Sequence, residues 1–176
     1  MSVTTEPTSQ LAHVIAALDA LMDVRYEVID GSVVVSPPPG YAHESRLARL
    51  QNRLANAAPR GVEVLGSNYG FLYGDKGHFL LPDLTVVRSA DTEDRGTRSP
   101  LLVVEVRSPS TWRRDEGDKR NIYAEGGVPS YWLLDPVAPA LRVLELRGSA
   151  YAEVARLDGL GTLQMRHPFP VEITLD

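Results

Sequence analysis

Apolar positions keep helical spacing early in the chain and change to alternation later, so the pattern predicts helices first and strands after them. Leu11, Val14, Ile15, Leu18, Leu21 and Met22 recur at helical steps after Ser9, a suitable cap, and predict an amphipathic helix over about 10–23 with its apolar face on the core. Tyr26-Glu27-Val28-Ile29 and Val33-Val34-Val35 flank Asp30-Gly31, a pair that tolerates positive φ, and this predicts a β-hairpin. Pro37-Pro38-Pro39-Gly40 cannot continue that strand. Leu47, Leu50 and Leu54 then predict a second helix to about Ala58, stopped by Pro59 and Gly61.

Short β-branched or apolar runs follow at Val62 to Leu65, Phe79 to Leu81, Leu84 to Val87 and Leu101 to Val106, separated by turn-forming residues. A helix over about 113–125, closed by Gly126-Gly127, and an apolar run from Val128 to Leu134 complete a strand-helix-strand unit. Such a unit favours a parallel pair joined by a right-handed crossover. Leu141 to Leu146, Tyr151 to Leu157 and Val171 to Leu175 alternate as antiparallel strands do. The expected class is α/β (α+β), a mixed β-sheet flanked by helices. We expect a single domain with an N-terminal helix (1–23), a core (24–136) and C-terminal antiparallel strands (137–176).

Composition narrows the function. With 176 residues, 43% of them hydrophobic and 23% charged, the chain is the size of one globular domain. No apolar run approaches the roughly 20 residues of a membrane helix, and MSVTTEPTSQ lacks the basic and apolar regions of a secretory signal, so a cytoplasmic location is the expectation. The absence of cysteine removes disulfides, thiolate nucleophiles and cysteine zinc sites. A net charge of −5 excludes a whole-surface electrostatic grip on nucleic acid but leaves room for a local basic groove. Lys76 and Lys119 are the only lysines.

Glu105 interrupts an otherwise apolar strand, where an unpaired charge costs several kcal/mol, so it needs a partner. Alternation places Val103, Glu105 and Arg107 on one face, which makes a buried Glu105–Arg107 ion pair one reading and a metal-binding carboxylate the other. Asp83 follows Pro82 at the start of a neighbouring strand, and strands lie only about 4.8 Å apart, so the two carboxylates can converge. By spacing alone Asp83 is equally a turn aspartate. A paired-carboxylate site suits Mg²⁺ or Mn²⁺, whereas His13, His43, His78 and His167 are too scattered for a zinc motif. Lys119, on the next helix, shares a side with Ile122 and Tyr123 and can reach the same site. Alternatively it belongs to two exposed helical pairs, Asp115 with Lys119 and Glu116 with Arg120.

These residues lie within a larger pattern. Leu102-Val103-Val104-Glu105-Val106-Arg107-Ser108-Pro109-Ser110-Thr111, then Asp115, Lys119 and Tyr123, then Gly127-Val128-Pro129-Ser130-Tyr131-Trp132-Leu133-Leu134-Asp135-Pro136, resembles the signature of the Uma-two family of restriction-endonuclease-like proteins. Pro82-Asp83, Glu27-Val28-Ile29-Asp30-Gly31, and Pro39-Gly40 followed by His43 also match. The resemblance implies a PD-(D/E)XK nuclease core, with Asp83 and Glu105 matching its acidic positions. It further implies that Lys119 replaces, from the helix, the usual lysine two residues after the glutamate. The chain departs from the family at Arg107, where an apolar residue is common, and at Ser130, where glutamate is frequent.

The expected function is therefore metal-dependent endonuclease hydrolysis of phosphodiester bonds, most simply in DNA, with Asp83 and Glu105 on Mg²⁺ or Mn²⁺ and water as nucleophile. Lys119 orients that water or stabilises charge, and Arg107 holds a phosphate oxygen. Glu27 is an additional acid or an exposed residue beside its turn. His43 and Arg46 are candidate substrate contacts, with Arg49 and Arg53 on the side of Arg46 as phosphate contacts or a solvated face. Tyr131 and Trp132 read as core aromatics. The alternative is a catalytically silent nucleic-acid-binding or assembly module in which Arg107 fills the metal site. A hydrolase of another type finds no Gly-x-Ser-x-Gly elbow, cysteine or phosphate loop to support it. Cutting both strands would favour a homodimer.

Overall fold

The computed structural model describes residues 9–20, 25–74, 77–108 and 112–176, without the side chains of 9–12, 18, 19, 113 and 115. Lys76, Leu21, Met22 and the segment 109–111 fall outside the described residues, as do the side chains of Leu11, Leu18 and Asp115. The chain begins with α1 (Ser9–Ala20), the hairpin β1 (Tyr26–Ile29) and β2 (Ser32–Val35), and α2 (Tyr41–Ala57). Next come β3 (Val62–Gly66), β4 (Gly70–Tyr73), β5 (His78–Leu80), β6 (Leu84–Arg88), β7 (Gly96–Thr97) and β8 (Leu102–Val106). A helical segment made of α3 (Trp112–Arg114), a π turn (Asp115–Lys119) and α4 (Arg120–Glu125) leads to β9 (Ser130–Asp135). The chain closes with β10 (Ala140–Arg147), β11 (Ala150–Asp158), β12 (Gly161–Met165) and β13 (Val171–Leu175).

The central sheet has the order β11-β10-β9-β8-β6-β3. Its β8–β9 pair is parallel and is joined by the helical segment, the crossover expected from sequence, while its other pairs are antiparallel. Alternation divides the apolar side chains between its faces. Leu102, Val104, Val106, Trp132 and Leu134 pack on one side with Leu47, Leu50 and Leu54 of α2 and with Ile173 of β13. Val103, Tyr131 and Leu133 pack on the other with Ile122 and Tyr123 of α4. A second sheet, β2-β1-β5-β4-β7, contributes Ile29, Phe71 and Leu80 to that second core. Glu105 shares the face of Val103, so it points into the seam where the second sheet and the helix meet the first sheet.

Several elements differ from the sequence reading. The first helix does not bury a continuous face: Val14 is 43% exposed. The strands β4, β7 and β12 were not expected, because β4 and β7 are short and glycine-bearing and are held by neighbours rather than by propensity. Gly126 permits the turn after α4 by closeness of approach, since a Cβ there would lie 2.4 Å from the Phe71 ring. The Asp30-Gly31 turn forms as expected, with φ of 48° and 73°.

Leu54 is fully buried between α2 and the central sheet. Leu54→Ala should lower the free energy of unfolding by about 2–5 kcal/mol, measured by urea denaturation; a loss below about 1 kcal/mol would contradict this packing.

Candidate active site

Three carboxylates reach one cavity from three strands or strand ends. Glu27 is on β1, Glu105 is on β8, and Asp83 stands one residue before β6. The β6–β8 register pairs Leu84 with Val104, so continuing it by one residue brings Asp83 opposite Glu105. The Val106 backbone N–H donates to Asp83 Oδ2 at 2.7 Å and ties the two positions together. All three side chains are buried.

Buried charge requires compensation, and the helix supplies it. Lys119 Nζ lies 2.8 Å from Glu27 Oε1 and 2.9 Å from Glu105 Oε1, with only 4% of its side chain exposed. Tyr123, four residues on, donates its hydroxyl to the same Glu105 oxygen at 2.7 Å. The Leu81 backbone N–H donates to Glu27 Oε1 at 2.8 Å. Lys119 is the last residue of the π turn, where a wider helical turn shifts the side-chain positions relative to an α-helix. Burial and then the adjacent Glu105 and Glu27 charges push the Tyr123 phenol well above its usual range, which keeps it a donor.

Asp83 is held separately. Arg25 donates to its Oδ1 at 3.0 Å and also to the Leu81 carbonyl. His43, near the start of α2, places Nε2 3.4 Å from the same oxygen, close enough for electrostatic attraction but without a hydrogen bond, and that nitrogen is buried. Burial alone would raise the Asp83 carboxyl; His43, Arg25 and the Val106 N–H outweigh it and hold the pKa below the usual carboxylate value. The Arg25 guanidinium is correspondingly raised, burial being outweighed by Asp83, Glu105 and Glu27.

These groups line a cavity of about 330 Å³, with Pro37, Pro38, Pro39, Pro136 and Val137 forming much of its apolar wall. Glu27, Asp83 and Glu105 bring three carboxyl groups to this cavity, beside the Arg25 guanidinium and the Lys119 amine. Among the described residues no group of three or more His, Asp or Glu forms a ligand cage. A pair of hard carboxylate donors lining one cavity nevertheless suits Mg²⁺ or Mn²⁺, because Mg²⁺ commonly takes one or two carboxylates and completes its shell with water and substrate oxygens. Asp83 and Glu105, on neighbouring positions of adjacent strands, fit that donor set.

The structure thus brings together Asp83, Glu105, Lys119, Glu27 and His43, with Arg107 at the edge of the cavity. It overturns four readings. Arg107 does not pair with Glu105: the strand ends at Val106, alternation lapses, and Arg107 pairs with Asp135 at 3.1 Å while lying over the Trp112 ring. Arg46 does not face the cavity; with Arg49 and Arg53 it converges on Asp176. Glu116 and Arg120 do not pair, since Glu116 engages Arg142 and Arg120 donates to the Tyr151 carbonyl. Glu27 is buried rather than exposed beside its turn. Tyr131 and Trp132 are core residues as expected. Sequence reasoning missed Arg25 and gave Tyr123 no role. The available signals were strand alternation, which puts residue 25 on the side of Glu27, and the four-residue helical step from Lys119.

A mixed sheet that gathers acidic side chains from adjacent strands, with a lysine from the following helix, defines a restriction-endonuclease-like class of fold. The solved structure described as a putative nuclease belonging to DUF820 from Anabaena variabilis ATCC 29413 has a similar fold, with a TM-score of 0.65 and 17% identity over 86% of this chain and 88% of that one. Residues 15–176 match the Uma2 family model, described as "Putative restriction endonuclease", and the chain belongs to that family. No curated protein matches it. No helix among the described residues is long and apolar enough to cross a membrane.

Two outcomes follow from the buried charges. Lys119→Met leaves Glu27 and Glu105 facing each other and should cost about 3–5 kcal/mol of stability in EDTA, measured by urea denaturation; a change under about 1 kcal/mol would show that the carboxylates are not buried against the lysine. Tyr123 keeps its proton to higher pH when folded than when unfolded, where it leaves near pH ~10. Its stabilisation is therefore complete below that pH and is lost above it. Tyr123→Phe should flatten the fall of stability between about pH 10 and 12. An unchanged slope would place the phenol in water.

Proposed function

We propose that the chain is a metal-dependent endonuclease that hydrolyses phosphodiester bonds in DNA. The observation carrying this reading is the convergence of Asp83, Glu105 and Lys119 in one cavity, within a family described as restriction endonucleases. Asp83 and Glu105 would hold Mg²⁺ or Mn²⁺, which when bound neutralises charge growing on the phosphate and lowers the pKa of water.

The chain's own residues do the rest. Glu27 fixes the lysine ammonium beside Glu105 and is itself fixed by the Leu81 N–H, which makes it a positioning acid. Lys119 orients the attacking water and stabilises negative charge on the phosphate oxygens. Arg25 and His43, both lining the cavity around Asp83, hold a phosphate oxygen. Arg25 stays protonated throughout and serves as a clamp, never as a base. Hydrolysis exchanges one phosphorus–ester oxygen bond for a bond to the water oxygen.

One observation favours a second reading. Lys119 already engages both Glu27 and Glu105, so a catalytically silent nucleic-acid-binding module would keep the same arrangement without metal.

Cleavage of supercoiled plasmid with Mg²⁺, Mn²⁺ or EDTA separates the two. We expect metal-dependent nicking, reduced at least about 100-fold in each of Asp83→Asn, Glu105→Gln and Lys119→Ala. An inert wild type, or variants that cut as well as it does, would sink the endonuclease reading.

A further inference from the structure

A second cavity adjoins the carboxylate site and shares Arg107 with it. It has a volume of about 300 Å³ and includes Trp112, Leu133, Arg142 and Arg156 among its lining residues. We propose that this cavity is a subsite for an unstacked nucleobase next to the scissile phosphate, with Trp112 as the stacking platform and Arg107 as the link between the two cavities. The proposal rests on the endonuclease reading for its place beside the scissile phosphate, but base binding itself does not need metal or cleavage.

Three features carry it. First, Arg107 is the wall between the cavities: its guanidinium lies 5.3 Å from the Trp112 ring centre and pairs with Asp135 at 3.1 Å. Its side chain is 49% exposed, so both contacts are weak ones that a phosphate can replace. When the guanidinium turns to a phosphate in the first cavity, the ring face it covers becomes available to a base. Asp135 stays in place, because its other oxygen accepts the Val137 and Ala138 backbone N–H groups.

Second, the carboxylates around this cavity do not present a bare negative wall. Arg142 engages Glu116 and Glu153, and Arg156 engages Glu153 and Asp158. Third, the site combines what single-stranded nucleic acid requires, the Trp112 ring for a base and Arg107 at its edge for the backbone. A base reaches such a recess only if it has left its stack, so the preferred substrate is single-stranded or splayed at the cleaved position.

The test uses full-length protein in EDTA and a fluorescein-labelled single-stranded hexadeoxynucleotide. Binding is read by anisotropy, and the tryptophan signal is read with the unlabelled oligonucleotide. Trp132 is wholly buried, and it is the only other tryptophan, so quenching reports Trp112. We expect saturable quenching in the wild type, affinity reduced about tenfold in Trp112→Ala, and affinity within about threefold in Trp112→Phe, which keeps a stacking ring. Wild-type protein that neither binds nor quenches, or Trp112→Ala that binds as tightly as wild type, would overturn the subsite. Binding with this ranking in a protein that fails to cut plasmid would support the subsite while removing the endonuclease reading.

Discussion

A lysine ammonium removed from water between two glutamates is the interaction on which the arrangement of this protein depends. Glu27 belongs to one sheet, Glu105 to the other, and Lys119 to the helix that crosses between the parallel strands. None of the three can move alone without leaving a buried charge uncompensated, a loss larger than the average single substitution. The contact therefore sets how the second sheet and the helical segment sit on the central sheet. Tyr123 strengthens it by occupying the same Glu105 oxygen from one helical turn further on.

The Asp83 half of the site is built on different partners. Its oxygens are taken by Arg25 and by the Val106 N–H, with His43 close by, whereas Glu105 is engaged by Lys119 and Tyr123. These partners keep the Asp83 carboxyl ionised in a buried place, where desolvation would otherwise favour its neutral form. Arg25 and Lys119 both line the cavity. A phosphate entering the cavity would meet both, which suits a charge-stabilised phosphoryl reaction.

Much of this was legible in the sequence, for reasons that differ by residue. Spacing put Asp83 and Glu105 on neighbouring short strands and Lys119 on a helix side that reaches them, each beside an alternative, and it was the resemblance to the family that chose between them; the register and the helix then bring the three together. Arg107 was misread because alternation was carried one residue past the end of β8: its backbone N–H still bonds to Leu134, but its side chain turns to Asp135 and Trp112. The burial of Glu27 was not legible locally, since the group that covers it is a lysine 92 positions away, joined to it only by tertiary packing. The strands β4 and β7 escaped notice for the same reason: a two-residue strand such as Gly96–Thr97 has no period to detect and exists through its partner. The Arg46, Arg49 and Arg53 stripe was visible as a helical face, but its partner, Asp176, was not.

The account turns on Asp83 and Glu105 forming one site for a divalent cation, and calorimetric titration of Mn²⁺ into the protein tests that most directly. It predicts a single Mn²⁺ per chain, with binding lost in both Asp83→Asn and Glu105→Gln although each variant remains folded by circular dichroism. Absence of Mn²⁺ binding in the wild type, or unaltered binding in either variant, would contradict the paired-carboxylate site.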